Sequence, residues 1–338
     1  MLVKFEYSSG ILFYKQVNGK RLFVVLKRGK SIDVPKGHIE KEESAYSAAK
    51  RESFEETGIE AEPDRYFRHW LTYWFYGKGE RNKGETVKKR VTMFIAEVPA
   101  STEVKVSDEH SNSEWLDYEG CMKTMRFKQQ RELIRHADDY INRKHELERI
   151  NHDYAKLAKR DGFELSKNFV PGDGPCDAEI MIIGQAPGAT EDIELRPFVG
   201  RAGKFLDSLI RGAGLRREQI YITSVVQFFP PDNRQPSREE IEVCLPFLKK
   251  QILVVDPLLI ICLGKVSAMT VTGRNDIVNI HGTVIPIKLI DAGIGCFVTM
   301  HPAAGVRFNK NVLPIRKDFS KLRNILKELR ERDPKAVD

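Results

Sequence analysis

The sequence predicts an α/β protein built from two domains, each with a sheet covered by helices. Its 338 residues are enough for two domains of ordinary size. The first half carries long strand-like runs and an acidic helix, whereas the second half alternates short apolar runs with helical segments, which is typical of a parallel sheet. A long polar helix and a Gly- and Pro-rich stretch separate the halves. We therefore predict domains over residues 1–147 and 166–338, joined by a helical linker over 148–165.

The elements of the first domain follow from its apolar pattern. Strands are predicted at residues 4–14, 21–27, 66–76 and 90–98, which are rich in Phe, Leu, Val and Ile. Residues 42–56 are predicted to form a helix that ends at Gly58. A longer helix is predicted from about residue 128 to 159, where apolar residues recur at helical spacing.

The second domain alternates strands and helices over shorter distances. Strands are predicted at residues 179–183, 220–226, 258–263 and 296–299. Helices are predicted at residues 202–212, 238–254 and 317–331. Residues 258–263 are apolar throughout, as expected for a strand that is covered on both faces of a parallel sheet.

Composition excludes a membrane-spanning protein and favours an anionic partner. No run of 18 apolar residues is present, and the first residues lack the features of a signal peptide, so we expect a cytoplasmic, intracellular protein without a membrane partner. The net charge of +7 and the isoelectric point of about 9.0 suit nucleic acid or a nucleotide, although a Lys-rich surface alone gives the same numbers. The oligomeric state is left open.

The cysteines argue against two kinds of structural site. The chain has five, at positions 121, 176, 244, 262 and 296. Their number is odd, their spacing is wide, and no CxxC pair occurs. This pattern favours neither a disulfide framework nor a zinc knuckle.

Three carboxylates of the first predicted helix indicate a metal site. Glu52, Glu55 and Glu56 are spaced i, i+3 and i+4, so they share one helix face and repel one another unless a cation lies among them. Carboxylate oxygens suit Mg²⁺ or Mn²⁺, which neutralise a pyrophosphate and activate water. Gly37 supplies a tight turn whose carbonyl can face the metal, and Arg51 can pair with Glu55. A solvated acidic face is the alternative.

The spacing of this region resembles the Nudix box. The matching positions are Gly37, Glu43, Arg51, Glu52, Glu55, Glu56, Gly58 and Ile59. Ser53 departs from the pattern at a packing position. The resemblance implies an α/β/α sandwich with a mixed sheet, Mg²⁺ (or Mn²⁺) held by Gly37, Glu52, Glu55 and Glu56, and catalysis in which Glu55 takes part.

The first 145 residues are further similar to the diadenosine tetraphosphate hydrolase branch of that family. The segments that carry this likeness are 34–38, 107–110, 114–116 and 127–134. It implies that Glu109 serves as a metal ligand or base and that Lys89 lines the phosphate site. Met93 stands where the branch often has a Tyr against an adenine. The substrate therefore stays open between a dinucleotide and a nucleoside di- or triphosphate.

Four segments of the second half have the residue types of a base-binding pocket. An apolar strand enters a Gly/Pro turn at 182–188, and an aromatic residue lies between two arginines at 196–203. A strand leads into a polar loop at 221–236, and a His-Pro pair follows a strand at 300–307. Chemistry on a paired base requires that the base be flipped into such a pocket.

In this order, the segments resemble family 4 uracil-DNA glycosylases over residues 175–328. The resemblance implies an α/β/α sandwich with a central parallel sheet. It implies that His301 and Gln185 are catalytic, and that Gly184, Ala186, Pro187, Phe198 and Ser224 bind the base. Contacts to DNA are assigned to Arg201, Arg234, Val306 and Arg307. Glu191 or Asp192 could supply a carboxylate near the sugar.

Departures from that family bear on cofactor and substrate. Its members carry four cysteines for an iron–sulfur cluster, but only Cys244 falls at such a position here and Phe228 takes another, so no cluster is expected. Gln185 replaces a Glu, and Ser224 replaces an Asn. The excised base could thus be uracil or another damaged base.

Two functional hypotheses follow. The first is a bifunctional maintenance enzyme that hydrolyses a nucleoside polyphosphate with Mg²⁺ and excises a damaged base from DNA. The alternative is a Nudix hydrolase that carries a catalytically inactive, glycosylase-like DNA-binding module.

Overall fold

The computed structural model describes residues 3–29, 31–77, 84–108, 110–160 and 164–332. It divides into two compact units, Met1–Ile141 (unit 1) and Asn142–Asp338 (unit 2). The helix Lys128–Ala155 runs unbroken past this division and past residue 148, where the predicted linker starts. The predicted linker stays a prediction, and its residues 161–163 lie outside the described part of the chain.

Unit 1 is built around a mixed sheet. Its strands are β1 (Val3–Val17), β2 (Lys20–Arg28), β3 (Ser31–Asp33), β4 (Gly37–His38), β5 (His69–Tyr76), β6 (Thr86–Glu97) and β7 (Asn112–Leu116). Its helices are α1 (Ala45–Thr57), α2 (Tyr118–Thr124) and α3 (Lys128–Ala155), the last of which continues into unit 2. The strands follow the order β3-β2-β1-β6-β5, with β4 on β1 and β7 on β2. The central β1–β6 pair is parallel and the other pairs are antiparallel, which confirms the predicted mixed sheet.

Helix α1 begins three residues later than predicted. Ser44 is its N-cap and accepts from the Ser47 N–H at 3.0 Å, while Glu42 has a left-handed backbone with φ of 68° and cannot belong to the helix. The predicted end is confirmed, because Gly58 has φ of 66° and its N–H donates to the Phe54 carbonyl. Gly tolerates this conformation without steric cost.

One side of α1 closes a small core against the sheet. Ala49 packs with Ile11 and Phe13 of β1 and with Phe94 of β6. Ser53, where an apolar residue is usual, is fully buried and accepts a hydrogen bond from the Ile11 N–H at 2.9 Å. The polar residue therefore ties the helix to β1 instead of leaving a buried hydroxyl unpaired.

Unit 2 contains the predicted parallel sheet. Its strands are β8 (Ile180–Gly184), β9 (Ile220–Ser224), β10 (Leu259–Leu263), β11 (Thr283–Pro286) and β12 (Gly295–Thr299). Its helices are α4 (Ala189–Glu194), α5 (Arg201–Gly212), α6 (Arg238–Val255), α7 (Lys265–Thr272), α8 (Ile277–Ile280), α9 (Pro302–Arg307) and α10 (Val312–Arg332). The order is β11-β12-β10-β8-β9, with only the edge strand β11 antiparallel among these described strands.

Helices cover both faces of this sheet. Leu206 of α5 and Phe319 of α10 pack in one core with Ile182, Ile222 and Ile261. On the opposite face, Thr223 of β9 contacts Gln227, whose amide donates to Gln251 of α6 at 2.9 Å. Chain order reverses between β8 and β10, and ligands of open α/β sheets bind at the carboxyl edge of such a reversal.

No helix in the described part of the chain has both the length and the apolar character needed to cross a membrane.

Candidate active sites in the two units

The carboxyl ends of β8, β9 and β12 bring the distant motifs of unit 2 together. A cavity of about 430 Å³ opens there. Its walls include Gln185, Ala186, Pro187, Phe198, Ser224, Arg234, His301 and Arg307 from the predicted set. A second cavity of about 420 Å³ shares residues with the first and is lined by Arg201, Val306 and Arg307. Apart from Gly184, the predicted base-binding and DNA-binding residues of unit 2 thus line two neighbouring cavities.

Gly184 lines neither cavity, but it makes room for Phe198. A Cβ at this position would lie 2.6 Å from the Cζ of the Phe198 ring and 3.3 Å from the Ser224 Oγ. The backbone beyond it is fixed, since the Gly184 carbonyl accepts from the Val225 N–H at 3.0 Å. Only glycine lets the aromatic ring lie this close to the end of β8.

Phe198 is held in an unusual backbone conformation. Its φ is 54°, which L-residues seldom adopt, and its ring is 7% exposed. Arg217 donates to the carbonyls of Pro197 at 2.6 Å and Phe198 at 3.0 Å. The Phe198 ring lies 5.8 Å from the His301 ring at an angle of 30°. The strained backbone therefore presents one aromatic face beside His301 at the cavity.

His301 is fixed as a neutral imidazole. Its Nδ1 accepts from the Ala303 N–H at 3.1 Å, so the ring proton is assigned to Nε2. Burial lowers the pKa of His301 to about 4; the Arg307 charge acts in the same direction and Glu191 opposes it. The imidazole is thus uncharged near pH 7 and carries one N–H that can donate.

Glu191 braces the two loops that carry these residues. Its side chain is buried, and its Oε1 accepts from the N–H groups of Val199 at 2.9 Å and Gly200 at 2.8 Å. Its Oε2 accepts from the Gly188 N–H at 3.2 Å. The role near the sugar, considered from the sequence, is less suited to this carboxylate than a structural one, because both oxygens already serve the loops. Asp192 accepts from the Asn168 amide at 3.1 Å.

The arginines differ in their availability to DNA. Arg234 forms a bidentate pair with Glu240 at 2.8 and 2.6 Å, so its guanidinium is largely engaged. Arg201 and Arg307 are exposed. Of the three predicted arginine contacts, these two have the accessible charge that a phosphate requires.

Asn233 and Phe308 were missed by sequence reasoning. Asn233 contributes to both cavities and has φ of 55°. Phe308, which is 56% exposed, stands at the rim of the larger cavity. The Pro- and Asn-rich loop around Asn233 signals a turn, but its sequence does not show which cavity the turn enters.

An aromatic cluster surrounds Cys244, where the resembled family places an iron–sulfur cluster. Tyr154 stacks on Phe247 at 4.4 Å, and Phe228 lies 5.6 Å from Tyr154. Burial raises the pKa of the Cys244 thiol to about 11. Among the described residues, no group of three or more His, Cys, Asp or Glu side chains could hold a metal ion. One protonated thiol among aromatic rings does not fit a four-thiolate cluster.

In unit 1, Arg51 organises the acidic helix. It donates to Glu43 at 3.0 and 2.8 Å, to Glu52 at 2.8 Å and to the His38 carbonyl at 3.0 Å. The predicted pair with Glu55 is present at 3.6 Å, but Glu55 is largely exposed. A Cβ at Gly37 would overlap the Glu52 carboxylate, so glycine is required for this approach.

Glu56 is half-buried, and both the Lys36 cation and the acidic groups Asp33 and Glu52 act on its pKa. Burial raises its pKa to about 7, and Asp33 and Glu52 act in the same direction, although its Oε2 accepts from the Lys36 N–H at 2.9 Å. A cation near Glu52 and Glu56 would relieve this repulsion, and their oxygens are ligands that Mg²⁺ accepts. The donor set of Glu52, Glu55, Glu56 and the Gly37 carbonyl therefore fits a divalent ion by its chemistry, although the described side chains are not gathered around one point.

Three further sequence expectations concern this site. Lys89 is half-buried, and its burial together with the Lys36 charge lowers its pKa, whereas Glu52 raises it. Lys89 therefore lies within electrostatic range of Lys36 and Glu52. Met93 is fully buried, so it does not present a side chain to a nucleotide. Glu109 lies outside the described residues, and its predicted role stays a prediction.

Comparison with known proteins assigns each unit to a family. Residues 171–330 match the uracil DNA glycosylase superfamily, and residues 7–137 match the NUDIX domain. A structure of the C. elegans Ap4A hydrolase is 24% identical in sequence to this chain. The alignment covers 40% of this chain and 98% of the hydrolase chain, with a TM-score of 0.34.

Curated relatives align with the C-terminal part. A type-4 uracil-DNA glycosylase of Sulfurisphaera tokodaii is 39% identical over 186 residues, which are 53% of this chain and 84% of the relative. That of Thermotoga maritima is 38% identical over 48% of this chain and 84% of the relative. This chain is therefore an enzyme that belongs to the uracil DNA glycosylase superfamily and carries a NUDIX domain ahead of its glycosylase domain.

Proposed function

We propose that unit 2 excises uracil, or another damaged base, from DNA by cleaving the N-glycosidic bond. The observation that carries this proposal is the pairing of Phe198 with a neutral His301 in one cavity. A flipped base would stack on the Phe198 ring, and the His301 Nε2–H would donate to a base carbonyl. Ser224, 4% exposed at the end of β9, would contact the base edge.

Cleavage of the N-glycosidic bond depends mainly on charges and dipoles that the protein holds in fixed positions around the base and the sugar. As the bond to the sugar breaks, negative charge develops on the leaving base, and a fixed N–H donor stabilises it more than the ground state. A neutral imidazole donates without adding a buried positive charge beside Arg307. Gln185 lines the same cavity and can orient a water, but an amide cannot act as a base.

We further propose that unit 1 hydrolyses a nucleoside polyphosphate with Mg²⁺ or Mn²⁺. Such an ion, when bound, would neutralise the pyrophosphate and activate water. The repelling carboxylates Glu52 and Glu56 support this, as does the neighbouring positive charge of Lys36 and Lys89. The bifunctional protein would act on damaged DNA and on a nucleotide, in the cytoplasm.

The excision proposal is tested with labelled single- and double-stranded oligonucleotides that carry uracil, hypoxanthine or other lesions. Alkali cleavage after incubation reports abasic sites. We expect cleavage at one lesion or a few, and the pattern identifies the base.

A second candidate, a DNA-binding module without chemistry, is favoured by Gln185 and Ser224. It predicts gel shifts with lesion-containing DNA but no abasic sites, and this outcome would replace the excision proposal. Hydrolysis of candidate nucleotides with Mg²⁺, measured by separating the nucleoside monophosphate product from the substrate, tests unit 1 independently.

A further inference from the structure

One face of the unit 1 sheet presents aromatic side chains to solvent. Trp70, Trp74 and Tyr76 of β5 are 52%, 59% and 59% exposed. Phe5 and Tyr7 of β1 are 59% and 54% exposed. Five large rings left uncovered on one sheet are unusual, since exposed apolar patches of soluble proteins commonly mark interaction sites.

The strand register places these rings around a basic middle strand. Strand β6 lies between β1 and β5, and partners in register point to the same face. Phe5 pairs with Lys88, which pairs with Trp74. Tyr7 pairs with Arg90, which pairs with Thr72. Two cations thus lie between the aromatic residues of the flanking strands, and we call this surface the aromatic–basic face.

The remaining positions of the face add neither carboxylates nor long aliphatic side chains. The outer rows are Val3–Thr86–Tyr76 and Ser9–Thr92–Trp70. The twelve positions of the four rows therefore carry net charge +2. The Lys88 Nζ lies 5.0 Å from the Trp74 ring centroid, a cation–π contact that leaves both groups at the surface.

This face differs from the candidate nucleotide site of the same unit. Lys89 and Tyr73 alternate with the residues of the face and so point to the other side of the sheet. There, Asp33 acts on the pKa of both groups. Helix α1 packs on the same side of the sheet as the aromatic–basic face, further along β1 and β6 against Ile11, Phe13 and Phe94. The face therefore lies beside the acidic helix, but none of its five rings and neither of its cations takes part in the proposed hydrolysis.

We propose that the aromatic–basic face binds single-stranded nucleic acid, by stacking bases on the aromatic rings and pairing Lys88 and Arg90 with phosphates. Ring spacing supports separate bases, because residues i and i+2 of a strand lie about 6.6 Å apart. Aromatic rings stack on bases and interleaved cations pair with phosphates, and none of the twelve positions carries a carboxylate that would repel a phosphate backbone. Duplex DNA offers no accessible base faces to such a surface, so single strands are preferred.

The test measures binding of the full chain to a labelled, uracil-free oligothymidylate of about 16 nucleotides. We expect Trp70→Ala/Trp74→Ala to weaken binding about tenfold or more, and Lys88→Glu/Arg90→Glu to weaken it and flatten its salt dependence. The control variants Phe127→Ala and Lys20→Glu change exposed residues elsewhere in unit 1 and should bind like wild type. The same substitutions should weaken binding to the duplex of this sequence less than binding to the single strand.

A second readout locates the contact. The chain has three tryptophans, so Trp115→Phe leaves Trp70 and Trp74 as the reporters, and the oligonucleotide should quench their fluorescence. Unchanged affinity in both double variants, or unchanged fluorescence, would overturn the proposal. The proposal would also be overturned if the wild type were a dimer and the double variants were monomers with unchanged DNA affinity. A second copy of the chain would then be the partner that covers the face. Because the oligonucleotide contains no uracil, failure of excision leaves this test intact.

Discussion

At the residue scale, the central feature of His301 is that its imidazole is neutral and its Nδ1 carries no proton. Its Nδ1 is occupied by the Ala303 N–H, and burial holds its pKa at about 4. The imidazole therefore stays neutral as the pH falls through 6.5, the ordinary value for histidine, and takes up a proton only near pH 4.

We expect single-turnover excision to show no step from His301 between pH 6 and 8. Protonation below about pH 5 would place a hydrogen on Nδ1 and break its contact with Ala303, so the rate should fall there. Rates measured across pH 3.5–8 on an oligonucleotide that the enzyme cleaves check this. A sigmoidal change centred near pH 6.5 would show that the imidazole is more solvated than its surroundings here imply.

Gly184 tests whether the position of the Phe198 ring matters. Gly184→Ala places a methyl 2.6 Å from a ring whose backbone is fixed by Arg217, and overpacking of this kind costs about 1–3 kcal/mol. We expect the excision rate to fall about tenfold or more. Gly212→Ala, where no atom lies within 4 Å, is the matched control. Equal rates for both variants would mean that the ring moves without consequence.

Glu56 links metal binding to pH. Its pKa of about 7 means that at pH 6 a proton competes with a divalent ion, whereas at pH 8 the carboxylate is free. We expect Mg²⁺ to raise the melting temperature of unit 1 more at pH 8 than at pH 6, and Glu56→Gln to abolish the difference. The exposed Glu60→Gln should behave like wild type. A Mg²⁺ effect that is equal at both pH values would exclude Glu56 as a ligand.

At the element scale, Glu191 couples helix α4 to the loop that carries Phe198. A Gln in its place would keep one acceptor oxygen and turn an amide NH₂ toward backbone N–H groups that now donate to Glu191. We expect Glu191→Gln to lower the free energy of unfolding by about 1–3 kcal/mol, the cost of an unsatisfied buried donor. Denaturant titration measures it, with the exposed Glu194→Gln as control. Lost excision with unchanged stability would instead favour a carboxylate that acts on the sugar.

The elements also show where sequence reasoning ends. Alternation predicted the parallel sheet of unit 2, because buried strands are recognised by continuous apolar runs. It could not predict that Phe198 adopts a left-handed backbone, since this conformation depends on Gly184, Gly203 and Arg217 meeting in space. Likewise, the aromatic alternation of β5 is visible in the sequence, but the basic residues between its rings and those of β1 depend on the register.

At the scale of the whole molecule, one chain combines a NUDIX domain with a glycosylase domain. Both candidate sites were predicted from motif spacing, since each motif is short and local. Their finer chemistry depended on tertiary contacts: Arg51 prefers Glu43 and Glu52 over Glu55, and Arg234 is engaged by Glu240. The aromatic–basic face would add a contact to single strands, a form of DNA in which a damaged base needs little energy to flip.

Single-turnover excision of uracil from single-stranded DNA by the wild type, by His301→Ala and by the exposed control His152→Ala tests the role of His301 most directly. Binding of the same oligonucleotide is measured in parallel. We expect abasic sites with the wild type and the control, and a rate at least about a hundredfold lower for His301→Ala with binding retained. Excision by His301→Ala at the wild-type rate would contradict the role of the neutral imidazole. If the wild type excises neither uracil nor any other lesion of the oligonucleotide panel while DNA binding is intact, unit 2 is not a glycosylase.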